Sequence, residues 1–148
     1  MRISKKCQYA LRAVFELAWR NTGEPIKTHN IAHAQGMSPR FTEVILNDLK
    51  HAGFVESKRG KEGGYLLAKE AKDLTVGEVI EHMQGPISFA PDATQVTSEI
   101  VFSGGQAFKE LWKEVNRAVS EVCDSRTFAD LVRYEENKRR RCVPNYSI

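Results

Sequence analysis

The feature that most restricts the fold is a glycine-rich basic segment, Lys58–Gly64, which lies between two short apolar runs. The first run is Phe54–Ser57 and the second is Tyr65–Leu67. Short apolar runs on both sides of a glycine-rich turn are typical of a β-hairpin. The chain before this segment has the three-and-four spacing of helices, so a single hairpin is predicted within a mainly helical protein.

Two helices are predicted at the start of the chain. The first covers residues 4–21, with Ser4 as its N-cap. Its apolar face consists of Cys7, Ala10, Leu11, Val14, Phe15 and Ala18. The second is a short helix that Thr28 caps and that continues to about Gln35, where Gly36 ends it.

A third helix is predicted to begin at Ser38-Pro39, with serine as the N-cap and proline in the first helical position. Its buried stripe is expected to be Phe41, Val44, Ile45 and Leu49. The second and third helices are joined by Gly36-Met37, which is a helix-turn-helix pattern. A helix, a helix-turn-helix and a basic hairpin in this order predict a winged helix, followed by a fourth helix over Thr75–Met83.

The second half of the chain predicts a long helix after a linker. Residues 85–105 have low charge, with glycines and prolines, and are interpreted as a linker or sensor loop. After them, apolar residues repeat at spacings of three and four over about eighteen residues. They are Phe108, Leu111, Val115, Ala118 and Val122, with Trp112 and Val119 widening the stripe. Such a helix packs either on its own domain or against a second copy of itself.

These elements divide the chain into four parts. Residues 1–84 are expected to form a DNA-binding domain, and residues 85–105 the linker. Residues 106–137 are expected to form dimerisation helices, including a short one over Thr127–Asn137. The remaining residues, 138–148, form a basic tail that we expect to be frayed.

Composition favours a cytoplasmic protein with a polyanionic partner. The 148 residues are 41% hydrophobic, and no apolar run reaches the length of a membrane span. Residues 1–72 hold 13 Lys/Arg and 7 Asp/Glu, a net charge of +6, whereas residues 73–148 hold 9 and 12, a net charge of −3. A basic first half is typical of a module that faces nucleic acid.

The histidines and cysteines do not form a pattern that predicts a metal site. There are three cysteines, an odd number without a CxxC pair, which argues against a disulfide framework and a zinc knuckle. Cys7 and Cys123 are expected to be packing residues. Cys142 follows three arginines, which favour a thiolate, so it is the candidate redox thiol. His29 and His33 are interpreted as surface residues of the second helix.

Two other function classes compete with DNA binding. No nucleophile elbow, phosphate loop or dinucleotide fingerprint is present, so the sequence does not predict an enzyme. The alternative is a winged-helix protein-interaction module that does not itself bind DNA.

Motifs along nearly the whole chain resemble the Rrf2 family of bacterial regulators (the IscR/NsrR/CymR type). The wing, Arg59–Tyr65, is the most specific of them. The other matching segments are Met1–Lys5, Tyr9–Arg12, Ile31-Ala32, Phe41–Leu49, Ala52–Val55, Leu74–Ile80, Gly85-Pro86, Trp112 and Thr127–Leu131. The resemblance implies a sequence-specific transcription regulator, expected to be a repressor, which binds a palindromic operator as a homodimer.

The expected DNA contacts come from three places. A helix of this size fits the major groove, and residues at its N-terminus meet base edges. Those residues are Ser38, Arg40, Phe41, Thr42 and Glu43. The wing would contribute Arg59, Gly60, Lys61, Gly63 and Gly64, with its cations at the minor groove or its phosphates. The start of the first helix would contribute phosphate contacts from Arg2, Ser4, Lys5 and Tyr9.

Some of these assignments have alternatives. Arg40 can donate two hydrogen bonds to guanine, and Glu43 can accept one from cytosine. The resemblance supports a base-reading acidic residue at Glu43, but a solvated surface charge fits equally well. Tyr9 is either a phosphate contact or a half-buried core residue. The family usually has Pro-Gly where this chain has Lys61-Glu62, so contacts of the wing are expected to differ in detail.

The resemblance also raises the question of an iron–sulfur cluster. Many members hold one with three cysteines in the segment that matches residues 85–111. This chain has no cysteine between Cys7 and Cys123, and it has Gln106 and Lys109 where cluster-binding members have ligands. We therefore expect no cofactor, and an effector that is a small molecule or a protein.

Overall fold

A computed structural model describes residues 3–89 and 105–142. That part consists of six α-helices and one two-stranded antiparallel sheet, with a short 3-10 turn, so the predictions of a mainly helical chain and of the winged-helix order are confirmed. The elements in chain order are α1 (Lys5–Trp19), α2 (Thr28–Gln35), α3 (Pro39–His51), β1 (Val55–Lys58), β2 (Gly64–Leu67), α4 (Val76–Gln84), α5 (Gly105–Ser125) and α6 (Phe128–Cys142).

The helix starts follow the predicted capping residues, with one exception. The hydroxyl oxygen of Ser4 accepts from the Cys7 backbone N–H at 3.1 Å, and Ser38 caps α3 in the same way. Thr28 does not cap α2, because it is already the first helical residue and Lys27 holds the N-cap position without a side-chain bond. Caps of this kind satisfy N–H groups that have no partner within the helix.

The core lies around α1, which contacts α2, α3, α4 and α6. The prediction that Val44 is buried is wrong, since its side chain is 50% exposed. At 100° per residue, the inward stripe of α3 runs through positions 42, 45, 46 and 49, and Val44 lies outside it. Leu46, which the sequence analysis left out of the stripe, takes its place in the core.

The hairpin is attached to the segment that precedes α2. Val55 pairs with Leu67 and Lys58 with Gly64. On the other side of β2, Ile26 and Tyr65 exchange backbone hydrogen bonds of 2.7 and 2.9 Å. A Cβ at Gly64 would lie 2.4 Å from the Ile26 carbonyl oxygen, so glycine is required for this close approach. The wing is therefore fixed relative to the helix-turn-helix.

The last helix is longer than predicted and shares the core. It extends to Cys142, so the prediction of a frayed tail is wrong for residues 138–142. Phe128 at its start is fully buried in the core cluster, and the Arg139 guanidinium lies 4.6 Å from the centre of the Trp19 ring. Basic residues in a last turn interact favourably with the helix dipole, which explains the extension.

α5 packs on α4 along one side. A Cβ at Gly77 would lie 1.8 Å from Asp124 Oδ1, so the absence of a side chain at Gly77 allows this approach. None of the 21 residues of α5, all of which the structure describes, is fully buried. Among the described residues, no helix combines the length and the apolar character that a membrane crossing needs.

Candidate nucleic-acid interface

The exposed face of α3 is a stripe of four residues with helical spacing. It contains Arg40 and Glu43, two of the predicted contacts, and both are exposed. It also contains Val44 and Asn47, which the sequence analysis did not select. Their offsets of four and seven from Arg40 place them on its face of the helix, and this was the available signal. We call these four residues the α3 face.

Thr42 does not belong to this surface. Its side chain is 0% exposed, and its hydroxyl donates to the Ser38 carbonyl oxygen at 2.9 Å. The prediction that Thr42 contacts DNA is therefore wrong, because the residue has no accessible surface. Ser38 is exposed, but its hydroxyl oxygen accepts from the Phe41 backbone N–H at 3.3 Å. Its side chain thus has a structural role at the start of α3.

Tyr9 and Phe41 form an aromatic pair between α1 and α3. Their ring centres are 5.5 Å apart at an interplanar angle of 78°, an edge-to-face arrangement. Both side chains are partly buried against the core. Of the two interpretations of Tyr9, this geometry agrees with the half-buried packing residue.

The start of α1 is exposed. Ser4 and Lys5 lie at its N-terminus, where backbone N–H groups attract anions. The neighbouring Lys6 forms an ion pair of 2.5 Å with Asp48, which connects this end of α1 to α3. Arg2, the other predicted contact here, lies outside the described residues.

The wing presents two cations at its turn. Arg59 and Lys61 are exposed, and none of the ion pairs in the described part of the chain includes them. Two of the glycines explain the tight backbone. Gly60 has a φ of +110°, and a Cβ at Gly63 would lie 2.4 Å from the Lys58 carbonyl oxygen. Both cations are therefore available to an external anion such as a phosphate.

A second surface lies on α5. Phe108, Leu111 and Val122 are 53%, 44% and 60% exposed, which is unusual for large apolar side chains on one stripe. Ala118 is also exposed, and Trp112, Val115 and Val119 are partly covered. We call these seven residues the α5 stripe. Asn116 lies beside this stripe, next to Trp112 and Val119, and its amide oxygen accepts from the Phe89 backbone N–H at 2.8 Å.

The thiols differ in their surroundings. Burial raises the pKa of Cys7, and burial together with the Asp124 carboxylate raises the pKa of Cys123. Both effects favour the protonated thiol, in agreement with a packing role. Cys142 is exposed at the end of α6. In residues 3–89 and 105–142, no group of three His, Cys, Asp or Glu side chains is arranged to hold a metal ion, and His29 and His33 are exposed.

An exposed face on the second helix of a helix-turn-helix, beside a hairpin with available cations, defines a winged-helix DNA-binding regulator. Comparison with known proteins agrees with this class. Residues 3–134 match the family model Rrf2, described as an iron-dependent transcriptional regulator. The chain belongs to the Rrf2 family of helix-turn-helix transcriptional regulators.

Its relatives include regulators with different names. The chain is 34% identical to the HTH-type transcriptional regulator CymR of Bacillus subtilis over 94% of its length and 95% of that protein. It is 30% identical to IscR of Serratia proteamaculans over 92% of its length and 82% of that protein. The solved structure of CymR, the global cysteine regulator of B. subtilis, matches with a TM-score of 0.78 at 34% identity, over 90% of this chain and 98% of that chain. The structure of T. potens IscR matches with a TM-score of 0.75 at 33% identity, over 93% and 90% of the two chains.

Proposed function

We propose that this regulator is a homodimeric repressor that reads a palindromic operator with the α3 face and the wing. The observation that carries the proposal is the exposure of Arg40 and Glu43 on one helix face together with the available cations of the wing. An arginine is suited to guanine and a carboxylate to the amino group of cytosine. Arg59 and Lys61 supply charge for the groove beside the one that α3 enters.

Selection from a randomised duplex pool tests this proposal. The purified native chain should enrich a palindromic sequence, and Arg40→Ala should lose enrichment at one base position in each half-site. Arg117→Ala, which removes the same charge from an exposed position of α5, is the matched control and should select the native sequence. A chain that enriches no sequence would instead be the protein-interaction module.

We infer that DNA recognition needs two copies of the chain. The α5 stripe offers a self-complementary apolar surface, and two-fold symmetry of a dimer matches that of a palindrome. We propose that the chain does not catalyse a reaction and that it acts in the cytoplasm, where the DNA is. Both proposals agree with its membership of a regulator family. The division into residues 1–84 and 106–137 then separates two roles, DNA binding and dimerisation. It does not separate two hydrophobic cores, because α6 shares its core with α1.

We also propose that the chain holds no iron–sulfur cluster, although its family model is described as iron-dependent. Clusters are held by cysteine thiolates. Here Cys7 is buried, Cys123 is half-buried in the cleft between α4 and α5, and Cys142 is exposed at the end of α6. Gln106 and Lys109 are exposed near the start of α5, and their amide and ammonium groups do not suit iron. The residues present therefore do not fit such a cofactor.

Anaerobic purification gives a direct check of this last point. The protein should be colourless and contain less than stoichiometric iron, with a DNA affinity that an iron chelator does not change. Strong visible absorption with stoichiometric iron would contradict the proposal. As a control for the preparation, a cluster-binding relative purified beside it should be coloured.

The effector of the regulator is proposed to act on residues 85–105. Residues 85–87 line a cleft of about 120 Å³ with α4 and α5, whose walls include Ile80, Ile87 and Cys123. A small molecule or protein bound there would change the relation between α4 and α5. Residues 90–104 of the linker, which include Pro91, lie outside the described residues.

A further inference from the structure

Arg12, on the exposed side of α1, reaches the end of α2. Its Nη2 donates to the backbone carbonyl oxygen of Gln35, the last residue of α2, and its Nε donates to Gln35 Oε1 at 3.4 Å. The last carbonyls of a helix lack partners within the helix and form the negative end of its dipole. Arg12 therefore supplies both a donor and a compensating charge at this point.

A second contact fixes the same glutamine from the other side. Gln35 Nε2 donates to Glu16 Oε2 at 2.8 Å, and Glu16 is only 5% exposed. The other carboxylate oxygen of Glu16 accepts from Arg20 Nε. A buried carboxylate is costly unless it is paired and hydrogen-bonded, so this arrangement resists rearrangement. Two residues of α1 one turn apart thus hold the end of α2.

Arg12 also connects this point to the start of α3. Its guanidinium carbon lies 5.5 Å from the centre of the Tyr9 ring, and that ring packs edge-to-face on Phe41 in the first turn of α3. Gly36, in the turn between the two helices, adopts a φ of +62°, and a Cβ placed there would lie 3.9 Å from Arg12 Nη2. Arg12 therefore contacts the end of α2 directly and the beginning of α3 through Tyr9.

We propose that Arg12 is a positioning residue for DNA recognition, which fixes the turn between α2 and α3 and thereby the angle of the α3 face. The inference rests on the proposed function, because it assumes that this face meets DNA. The competing role is a direct phosphate contact, in which only the positive charge of Arg12 matters. A planar guanidinium presents its donors to the two acceptors of Gln35 in a fixed fork, whereas a lysine ammonium is a compact point charge without that geometry.

Arg12→Lys and Gln35→Ala separate the two roles, with the duplex selected by the native chain as the probe. Each change should weaken binding to this duplex about tenfold, comparable to the loss of one hydrogen bond to a charged group. The double variant should be no weaker than the weaker single one, because both variants lose the side-chain bond from Arg12 Nε to Gln35 Oε1. Affinity for a scrambled duplex of equal composition and the salt dependence of binding should stay native. Arg117→Lys is the matched control and should bind as the native chain does.

Several results would overturn the proposal. Native affinity in Arg12→Lys would mean that charge alone is needed, as for a phosphate contact, and additive effects in the double variant would mean that the two residues act separately. Loss of folding in Arg12→Lys, followed by circular dichroism, would make Arg12 a stabiliser of the whole fold. Arg40→Ala is measured in parallel. If it also binds normally, the proposed DNA surface itself is wrong, whereas a defect in Arg40→Ala alone refutes only the role of Arg12.

Discussion

Arg59 is the residue of the wing whose contribution to DNA binding is easiest to isolate. It is exposed at the turn, and no ion pair of the described residues includes it. Arg59→Ala should weaken binding to the selected duplex by about 1–3 kcal/mol if it reads a base, and by less if it meets only phosphate. Fluorescence anisotropy at fixed salt measures the change. Affinity equal to that of the native chain would remove Arg59 from the DNA site.

Val44 gives a second prediction at this scale, because an exposed apolar side chain one helical turn after Arg40 is suited to a thymine methyl group. Val44→Ser should change the free energy of unfolding by less than about 0.5 kcal/mol. It should weaken DNA binding by on the order of 1 kcal/mol. The control is Thr42→Val at the buried neighbouring position, which should lower stability while the folded protein keeps its affinity. A reversal of these two results would place Thr42, not Val44, at the DNA.

Single residues were the hardest part of the site to predict from the sequence. Arg40 and Glu43 follow from the helix start at Ser38-Pro39, which fixes the register of α3. Val44 was predicted to be buried because it is apolar, and Thr42 to contact DNA because it is near the helix N-terminus, but the 100° step of the helix places each on the opposite side. Arg12 had no signal as a contact to Gln35, since that contact joins two helices 23 positions apart in sequence.

At the scale of elements, the capping box of α4 predicts a pH dependence. The Thr75 backbone N–H bonds to Glu78, and Lys69 lies beside it, so the pKa of Glu78 is lowered in the folded state. A lowered folded pKa contributes stability above the unfolded value, ordinarily 4.5, and the contribution is lost as the pH falls through the folded pKa. Glu78→Gln should therefore be less stable than the native chain at neutral pH.

This difference in melting temperature should begin to shrink below about pH 4.5, where Glu78 of the unfolded chain is protonated, and should be lost once the pH falls through the lowered pKa of the folded carboxyl. Thermal melts followed by circular dichroism from neutral to acid pH measure it. Glu56→Gln, an equal change of charge at an exposed position of β1, controls for net charge. A difference between Glu78→Gln and the native chain that stays constant through the acid range would contradict this role of the carboxylate.

Helix ends were predictable only where glycine or proline marks them. Gly36, Pro39 and Gly53 mark the end of α2 and the two ends of α3, because few other residues suit those backbone positions. The end of α6 was missed, since its stabilising contact joins Arg139 to Trp19, far apart in the sequence. Contacts of this kind depend on tertiary packing and leave no local pattern.

For the whole molecule, the sequence predicted the order of the parts but not which of them share a core. The linker separates residues 1–84 from α5 and α6, yet Phe128 of α6 is buried with α1 residues such as Ala13. Backbone bonds strengthen this connection, since Val76 donates to the Arg126 carbonyl oxygen at 2.8 Å and Phe128 to that of Leu74 at 3.0 Å. In the described residues, the α5 stripe is the large apolar surface that this shared core does not cover.

Assembly through the α5 stripe is the prediction at this scale. Leu111→Asp with Val115→Asp should convert the dimer into a folded monomer, because an unpaired carboxylate in an apolar interface is strongly unfavourable. Light scattering at micromolar concentration measures the mass, and circular dichroism checks that the helices remain. The control is Lys113→Ser with Arg117→Ser, which changes the net charge by the same amount as the two aspartates do. These residues lie beside Glu110 and Glu114 on an exposed face of the same helix, so this variant should stay dimeric.

The monomer should also lose most of its affinity for the selected palindrome while it keeps weak binding to a single half-site. In a two-fold dimer, the two recognition helices meet half-sites about 34–36 Å apart, or a multiple of that distance, so binding of one half assists the other. Without the dimer, only the α3 face and wing of one copy act at a time. If the double aspartate variant stayed dimeric, the α5 stripe would not be the interface. If it became monomeric yet bound the whole palindrome as tightly as the native chain, recognition would not need the dimer.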